Sequence, residues 1–439
     1  MSYRSHAMLP QTEASLQHIL HHRAQYLQDR LQRHLPRKPF VVGVSGCQGS
    51  GKTTLCTTLE YLLKDVPYGL NVVSFSLDDV YLDHNQQQRR AKSDPDNRLV
   101  QFRGQPGSHD LDLACETFET LLEDSRPCPI PAYDKSVFGG LGDRIDPTLW
   151  QTTQPPVDII LFEGWCLGFK SLPVEEVCEQ YRKAKEDGAS WTAHPLQHIL
   201  GLNESLAAYE NTIYNYFDIF IHLSPDDLRN VYQWRLEQEH DSIRTRGVGG
   251  LNDEAVYTFV DTYMPAYSLY LPRLDSIGFY GFTNTVHPYE GRVRADHGYS
   301  GTQRHLRLLL DHDRRVIGQT LIKEHDPQQP LIWADYSRPL LFLVGMVGMA
   351  GLMRYSCLGR VLDIAKKAGR RFRTGGMTQS LSQTTTLLEI FFCLSSDTSN
   401  PNDAGEPYRY SPIISQIVKY MSEVQDSSKV PIPQTMHNF

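Results

Sequence analysis

The sequence predicts an α/β protein in which a parallel sheet is flanked by helices, followed by a C-terminal extension. Two observations carry this. Four short apolar runs, at residues 39–46, 71–75, 157–162 and 217–223, alternate with helical or loop-like segments. The first of them passes through a glycine-rich loop into a leucine-spaced helix. Short runs that are apolar throughout are the pattern of strands buried on both faces, as parallel strands are, and their alternation with helices builds βαβ units.

In chain order, residues 12–35 place Leu16, Leu20, Leu27, Leu31 and Leu35 on one helical face among His, Gln and Arg. This predicts an amphipathic helix within residues 1–38, packed on the domain C-terminal to it. The helix after the first run opens at Lys52, with Leu55, Leu59, Leu62 and Leu63 at helical spacing. After the fourth run, Ser224-Pro225-Asp226-Asp227 reads as a helix start through Glu239: a capping serine, a proline at the first position and two carboxylates at the positive end of the dipole. Segments 83–110 and 127–156 read as long polar loops, and loops that long in a compact domain are functional or disordered. Residues 306–310 and 316–322 read as a final strand pair around a turn at 311–315. The main domain is closed at 39–322. Residues 323–439, with an apolar run at 339–353, a basic stretch at 354–373 and a polar terminus, form an extension of unassigned role, expected to be disordered in part.

A chain of 439 residues, 40% hydrophobic and 21% charged, can bury a sizeable core in one large domain plus a smaller piece. Its net charge of -8 argues against a general nucleic-acid binder. The eight cysteines never fall into C-x-x-C spacing, which argues against zinc or a redox pair and for reduced thiols. The first residues lack the apolar core of a secretory signal. The run at 339–353 is shorter than the roughly 20 residues of a spanning helix, so a buried helix is expected there rather than membrane attachment. The expectation is a cytoplasmic protein, with the nucleus as a second compartment, and no nucleic-acid partner.

The chemistry begins at GCQGSGKT, residues 46–53, which satisfies G-x-x-x-x-G-K-[ST] between a strand and a helix, the P-loop of the nucleoside triphosphate hydrolase fold. Gly46, Cys47, Gln48, Gly49, Ser50, Gly51, Lys52, Thr53 and Thr54 are therefore assigned to ATP. Backbone N–H groups cradle the phosphates, Lys52 reaches the β- and γ-phosphates, and the Thr53 hydroxyl serves Mg²⁺. Asp78 and Asp79 close the second strand at the carboxyl edge of the sheet, where a base for an acceptor hydroxyl belongs. Glu163 ends the third strand, the place of an acid that holds Mg²⁺. Arg235, Arg244 and Arg246, with glycines 247, 249 and 250, have the makings of a closing lid. No N-K-x-D motif marks a guanine site.

Together these residues resemble the uridine kinase and phosphoribulokinase branch of P-loop kinases, and most of all the plant-type D-glycerate 3-kinases and their fungal ATP-binding relatives. The stretches that carry the resemblance are GVSGCQGSGKTTL (43–55), SLDDVYL (76–82), RGQPGSHDL (103–111), PAYDKSVFGGLGDR (131–144), LFEGWCLGF (161–169), WRLEQE (234–239) and FVDTYMPAY (259–267). The resemblance implies that Asp78 is the catalytic aspartate and that Arg235 is the lid arginine. It puts Asp79, Tyr81, Arg103, His109, Asp110, Tyr133, Lys135 and Arg144 around the acceptor. The implied activity is transfer of the ATP γ-phosphoryl group to a small hydroxyl-bearing anion, D-glycerate first. A nucleoside, pantothenate or sugar acceptor, or an ATP-binding regulator without turnover, are the alternatives.

Overall fold

The computed structural model describes residues 8–246, 251–281, 296 and 298–323. All of them belong to the unit Met1–Leu331. The extension from residue 324 onward, including the apolar run at 339–353 and the basic stretch at 354–373, lies outside the described residues.

Six strands form the central sheet. They are β1 (Phe40–Gly46), β2 (Val72–Ser76), β7 (Ile159–Gly164), β8 (Ile219–Pro225), β9 (His305–Leu310) and β10 (Val316–Ile322), in the order β10-β9-β8-β1-β7-β2. Every neighbouring pair is parallel except β9–β10, an antiparallel hairpin that closes one edge. Two short ladders lie outside it: β3 (Cys128–Pro129) with β6 (Thr152–Thr153), and β4 (Tyr133–Asp134) with β5 (Asp143–Arg144).

Successive side chains of a strand point to opposite faces, so each apolar run feeds two cores. Val41, Phe75, Ile160, Phe162 and Phe220 pack on one face with helices α4 (Leu111–Glu123), α6 (Leu196–Glu210) and α9 (Met264–Ser276). Phe40, Val42, Val44, Ile159, Leu161 and Ile221 pack on the other with α1 (Pro10–Gln32) and α2 (Lys52–Lys64). The remaining helices are α3 (His84–Ser93), α5 (Val174–Glu186), α7 (Asn230–Arg246) and α8 (Asp253–Asp261).

Three expectations are corrected. The buried stripe of α1 is Leu16, Ile19 and Tyr26 with His22 and Arg30, whereas Leu31 is 76% exposed. A count of leucines misses it because His22 and Arg30 bury through hydrogen bonds, to the Tyr299 hydroxyl at 2.9 Å and the Pro36 carbonyl at 2.7 Å. Ser224 and Pro225 do not open a helix: the ladder to β9 continues through both, and the Ser224 hydroxyl donates to Asp275 at 2.7 Å. The helix begins at Asn230. Segment 83–110 is not all loop, since α3 forms within it behind a capping box between Asp83 and Gln86.

Candidate functional site

The carboxyl edge of the sheet gathers the ends of β1, β2 and β7. Beyond β1 the chain turns through Gly49 and Gly51, both in the left-handed region (φ 74° and 91°), into the first turn of α2. A side chain at Gly49 would also collide, because a Cβ there lies 2.6 Å from the Cβ of Trp234. The Gln48 N–H donates to the Tyr267 hydroxyl at 3.1 Å. Burial pushes the Cys47 thiol up, so this cysteine packs rather than reacts.

In the first turn of α2, the Thr53 hydroxyl donates to Glu163 Oε1 at 2.6 Å, and Lys52 Nζ stands 3.8 Å from Glu163 Oε2. Burial pushes the Glu163 carboxyl up against the pull of Lys52. A buried carboxylate beside a threonine hydroxyl, compensated at that distance by one lysine, is the donor set a hard divalent cation takes. The buried Ser50 hydroxyl, which has no hydrogen-bond partner among the described residues, would supply a further oxygen in the same loop. The residues therefore fit Mg²⁺.

Beyond β2 a short 3₁₀ turn, Leu77–Val80, carries the two aspartates, and it separates them. Asp79 Oδ2 accepts from the Ser76 N–H at 2.8 Å and the Ser76 hydroxyl at 2.7 Å, so it closes the turn and is not turned to an acceptor. Asp78, with 39% of its side chain exposed, accepts from the Tyr81 hydroxyl at 2.7 Å and pairs with Lys135 Nζ. Burial pushes the Asp78 carboxyl up, but the Lys135 charge and hydrogen bond, with Lys52 and Tyr81, overcome it and hold it well below the usual carboxylate range.

The acceptor residues inferred from resemblance come together around Asp78, yet several are already engaged. Tyr81 stacks on His109 (4.8 Å between ring centres) and meets Tyr133 edge-on at 5.3 Å. Burial lowers His109 to about 3, so its imidazole is neutral; Nδ1 shares a hydrogen bond with the Tyr209 hydroxyl, and Nε2 has no partner among the described residues. Asp110 and Arg144, expected at the acceptor, instead bind each other at 2.7 Å. Asp110 also caps α4 through the Leu113 N–H, and Arg144 donates to the Tyr81 carbonyl at 3.0 Å, which makes the pair a strut. Arg103 likewise spends its guanidinium on loop carbonyls, those of Gly140 at 2.8 Å, Leu141 and Lys135, above the Tyr133 ring. Lys135, half-exposed, is the cation paired with Asp78.

In the lid segment, Arg235 pairs with Glu239 at 2.7 Å and lies over the Phe259 ring at 5.3 Å. Arg244 pairs with Asp241 on the surface. Glycines 247, 249 and 250 and the Arg246 side chain lie outside the described residues. Residues missed from the sequence also reach the site: Tyr263 and Tyr267, spaced i,i+4 in FVDTYMPAY, and Trp165, whose indole N–H donates to the Gly104 carbonyl at 2.8 Å. That aromatic spacing was the available signal. Arg314, on the far hairpin, gave none.

This loop and the buried acid beside it, on this sheet, define a P-loop kinase, and the chain belongs to the phosphoribulokinase and uridine kinase family. The profile described as "Phosphoribulokinase / Uridine kinase family" matches residues 41–179. Within it, the chain is 39% identical over 243 residues to the chloroplastic D-glycerate 3-kinase of Arabidopsis thaliana, covering 55% of this chain and 49% of that one, so it spans about half the plant enzyme's length. It is 38% identical over 241 residues to an uncharacterized kinase of Schizosaccharomyces pombe, covering 54% of this chain and 83% of the relative. A solved D-glycerate 3-kinase of Cryptococcus neoformans superposes with a TM-score of 0.60 at 29% identity, over 70% of this chain and 98% of the other. Among the described residues no helix is long and apolar enough to cross a membrane.

Proposed function

We propose that this kinase transfers the γ-phosphoryl group of ATP to a hydroxyl of D-glycerate. The observation that carries the reading is the Lys135–Asp78 pair, within electrostatic reach of Lys52. An anionic acceptor beside Asp78 is repelled unless a cation accompanies it, and Lys135, 53% exposed, is the cation free to change partners. A carboxylate drawing Lys135 toward itself leaves Asp78 to accept the hydroxyl proton as that oxygen attacks the γ-phosphorus and ADP departs. Thr53 and Glu163 would hold Mg²⁺, which supplies charge neutralisation at the phosphates. Lys52 and the P-loop amides position the phosphates, and Arg235 is the cation available from α7. A neutral nucleoside would need an open aromatic face, whereas Tyr81 already stacks on His109. The names of the Arabidopsis and Cryptococcus relatives support the same acceptor.

The test is ADP release by the purified chain against D-glycerate, L-glycerate, uridine, cytidine, pantothenate and pentose phosphates. D-glycerate is expected to turn over and Lys52→Ala to abolish the signal. Turnover of uridine or pantothenate without D-glycerate would replace the acceptor, and silence with every acceptor would favour an ATP-binding regulator.

A further inference from the structure

The hairpin β9–β10 is the sheet edge farthest from β2 in strand order, yet the turn between its strands reaches the phosphate loop. Asp311 Oδ1 accepts from the Asp313 and Arg315 N–H groups at 2.9 and 2.8 Å, which fixes the turn. Within it Arg314 sits in the left-handed region (φ 63°). That is a costly backbone for a bulky side chain, and such outliers persist where the surroundings impose them.

The imposed geometry aims the guanidinium at one place. Arg314 Nε donates to the Gly49 carbonyl at 2.6 Å, one terminal nitrogen pairs with Glu237 at 2.7 Å, and the other donates to the Trp234 carbonyl at 3.4 Å. The group also lies over the Trp234 indole, 5.4 Å from the ring centre. The indole N–H in turn donates to the His312 carbonyl at 2.6 Å, and Trp234 is fully buried beneath Gly49. Three segments distant in sequence, the phosphate loop, helix α7 and the hairpin turn, are therefore joined through one side chain.

We propose that Arg314 is a nucleotide-positioning residue: it holds the Gly49 peptide so that the following amides face the phosphates, and ties that loop to α7, the helix of Arg235. The physical reason is that a peptide rotates as a unit. A charged donor on its carbonyl fixes where the next N–H points, and charge-assisted bonds are the strong ones. Lysine cannot reproduce the fork that joins Gly49 and Glu237.

The experiment is titration of the full chain with ADP, followed by tryptophan fluorescence, for Arg314→Met, Arg314→Gly, Arg314→Lys and Lys52→Ala. Glycine relieves the left-handed backbone but removes the guanidinium, so Arg314→Gly separates positioning from folding. We expect melting temperature near that of the parent in Arg314→Gly and ADP affinity reduced about tenfold or more in Arg314→Gly and Arg314→Met. Arg314→Lys should lie between these and the parent, and KM for the acceptor should change far less than KM for ATP in all three. ADP affinity equal to the parent in Arg314→Gly, or a KM change confined to the acceptor, overturns the inference. A failure of the nucleotide site itself would show as unchanged binding in Lys52→Ala, so the two failures are distinguishable.

Discussion

At Asp78 burial and charge act in opposite directions, and charge wins because Lys135 sits directly on the carboxylate with Lys52 behind it. A general base contributes about a hundredfold to ten-thousandfold, so Asp78→Asn should lose turnover by such a factor while keeping ADP affinity; a larger loss in Asp79→Asn would reverse the assignment. The pH dependence has a definite sign. A carboxylate lowered in the folded state is stabilising above its unfolded value, and that contribution is lost as pH falls through the folded value. Lys135→Met removes the main lowering influence and leaves burial, so Asp78 titrates higher and the acid limb of kcat/KM moves to higher pH. A limb that stays in place in the pH–rate profile would mean that Asp78 is not the base. At this scale the sequence was informative where a motif fixes spacing, as for Lys52 and Thr53, which the fold sets beside Glu163. It was misleading where a charged group's partner is remote: nothing in RGQPGSHDL says that Asp110 will bind Arg144, 34 residues on.

Among the elements, the 3₁₀ turn Leu77–Val80 shows how a local device separates two adjacent aspartates. Ser76 and Asp79 close the turn on each other, and this closure holds Asp78 toward the cleft. Asp79→Asn keeps an oxygen for Ser76, whereas Asp79→Ala removes it; caps of this kind are worth about 0.5–2 kcal/mol. Thermal or denaturant unfolding should therefore show Asp79→Ala destabilised by about 1 kcal/mol and Asp79→Asn much less. Equal stability of the two would show that the closure contributes nothing. The strands were legible because runs buried on both faces leave an unbroken apolar signal. The start of α7 was not, because Ser224-Pro225 carries helix-start chemistry while the ladder to β9 holds it in a strand. Helix α3 was missed because its sequence, HNQQQRRAKS, buries only Gln87 and offers no apolar face to read.

Across the whole molecule, every candidate site residue lies between Gly46 and Arg314, and the sheet that positions them ends with β10 at Ile322. We propose that the kinase domain is complete at Ile322. A chain truncated there should stay folded and retain the parent's kcat within a few-fold, as checked by circular dichroism and ADP release; loss of folding would show that residues beyond 322 complete the core. With a net charge of -8 over the whole molecule, an anionic acceptor would have to be drawn by cations at the cleft rather than by the overall field. We propose that the acceptor pocket reads a carboxylate. The most direct test compares kcat/KM for D-glycerate with that for glycerol, which has the hydroxyls without the carboxylate, in the parent chain and in Lys135→Met. D-glycerate should be preferred by about a hundredfold or more, as charge-assisted recognition implies, and Lys135→Met should erase most of that preference; equal turnover of glycerol and D-glycerate by the parent chain would contradict it.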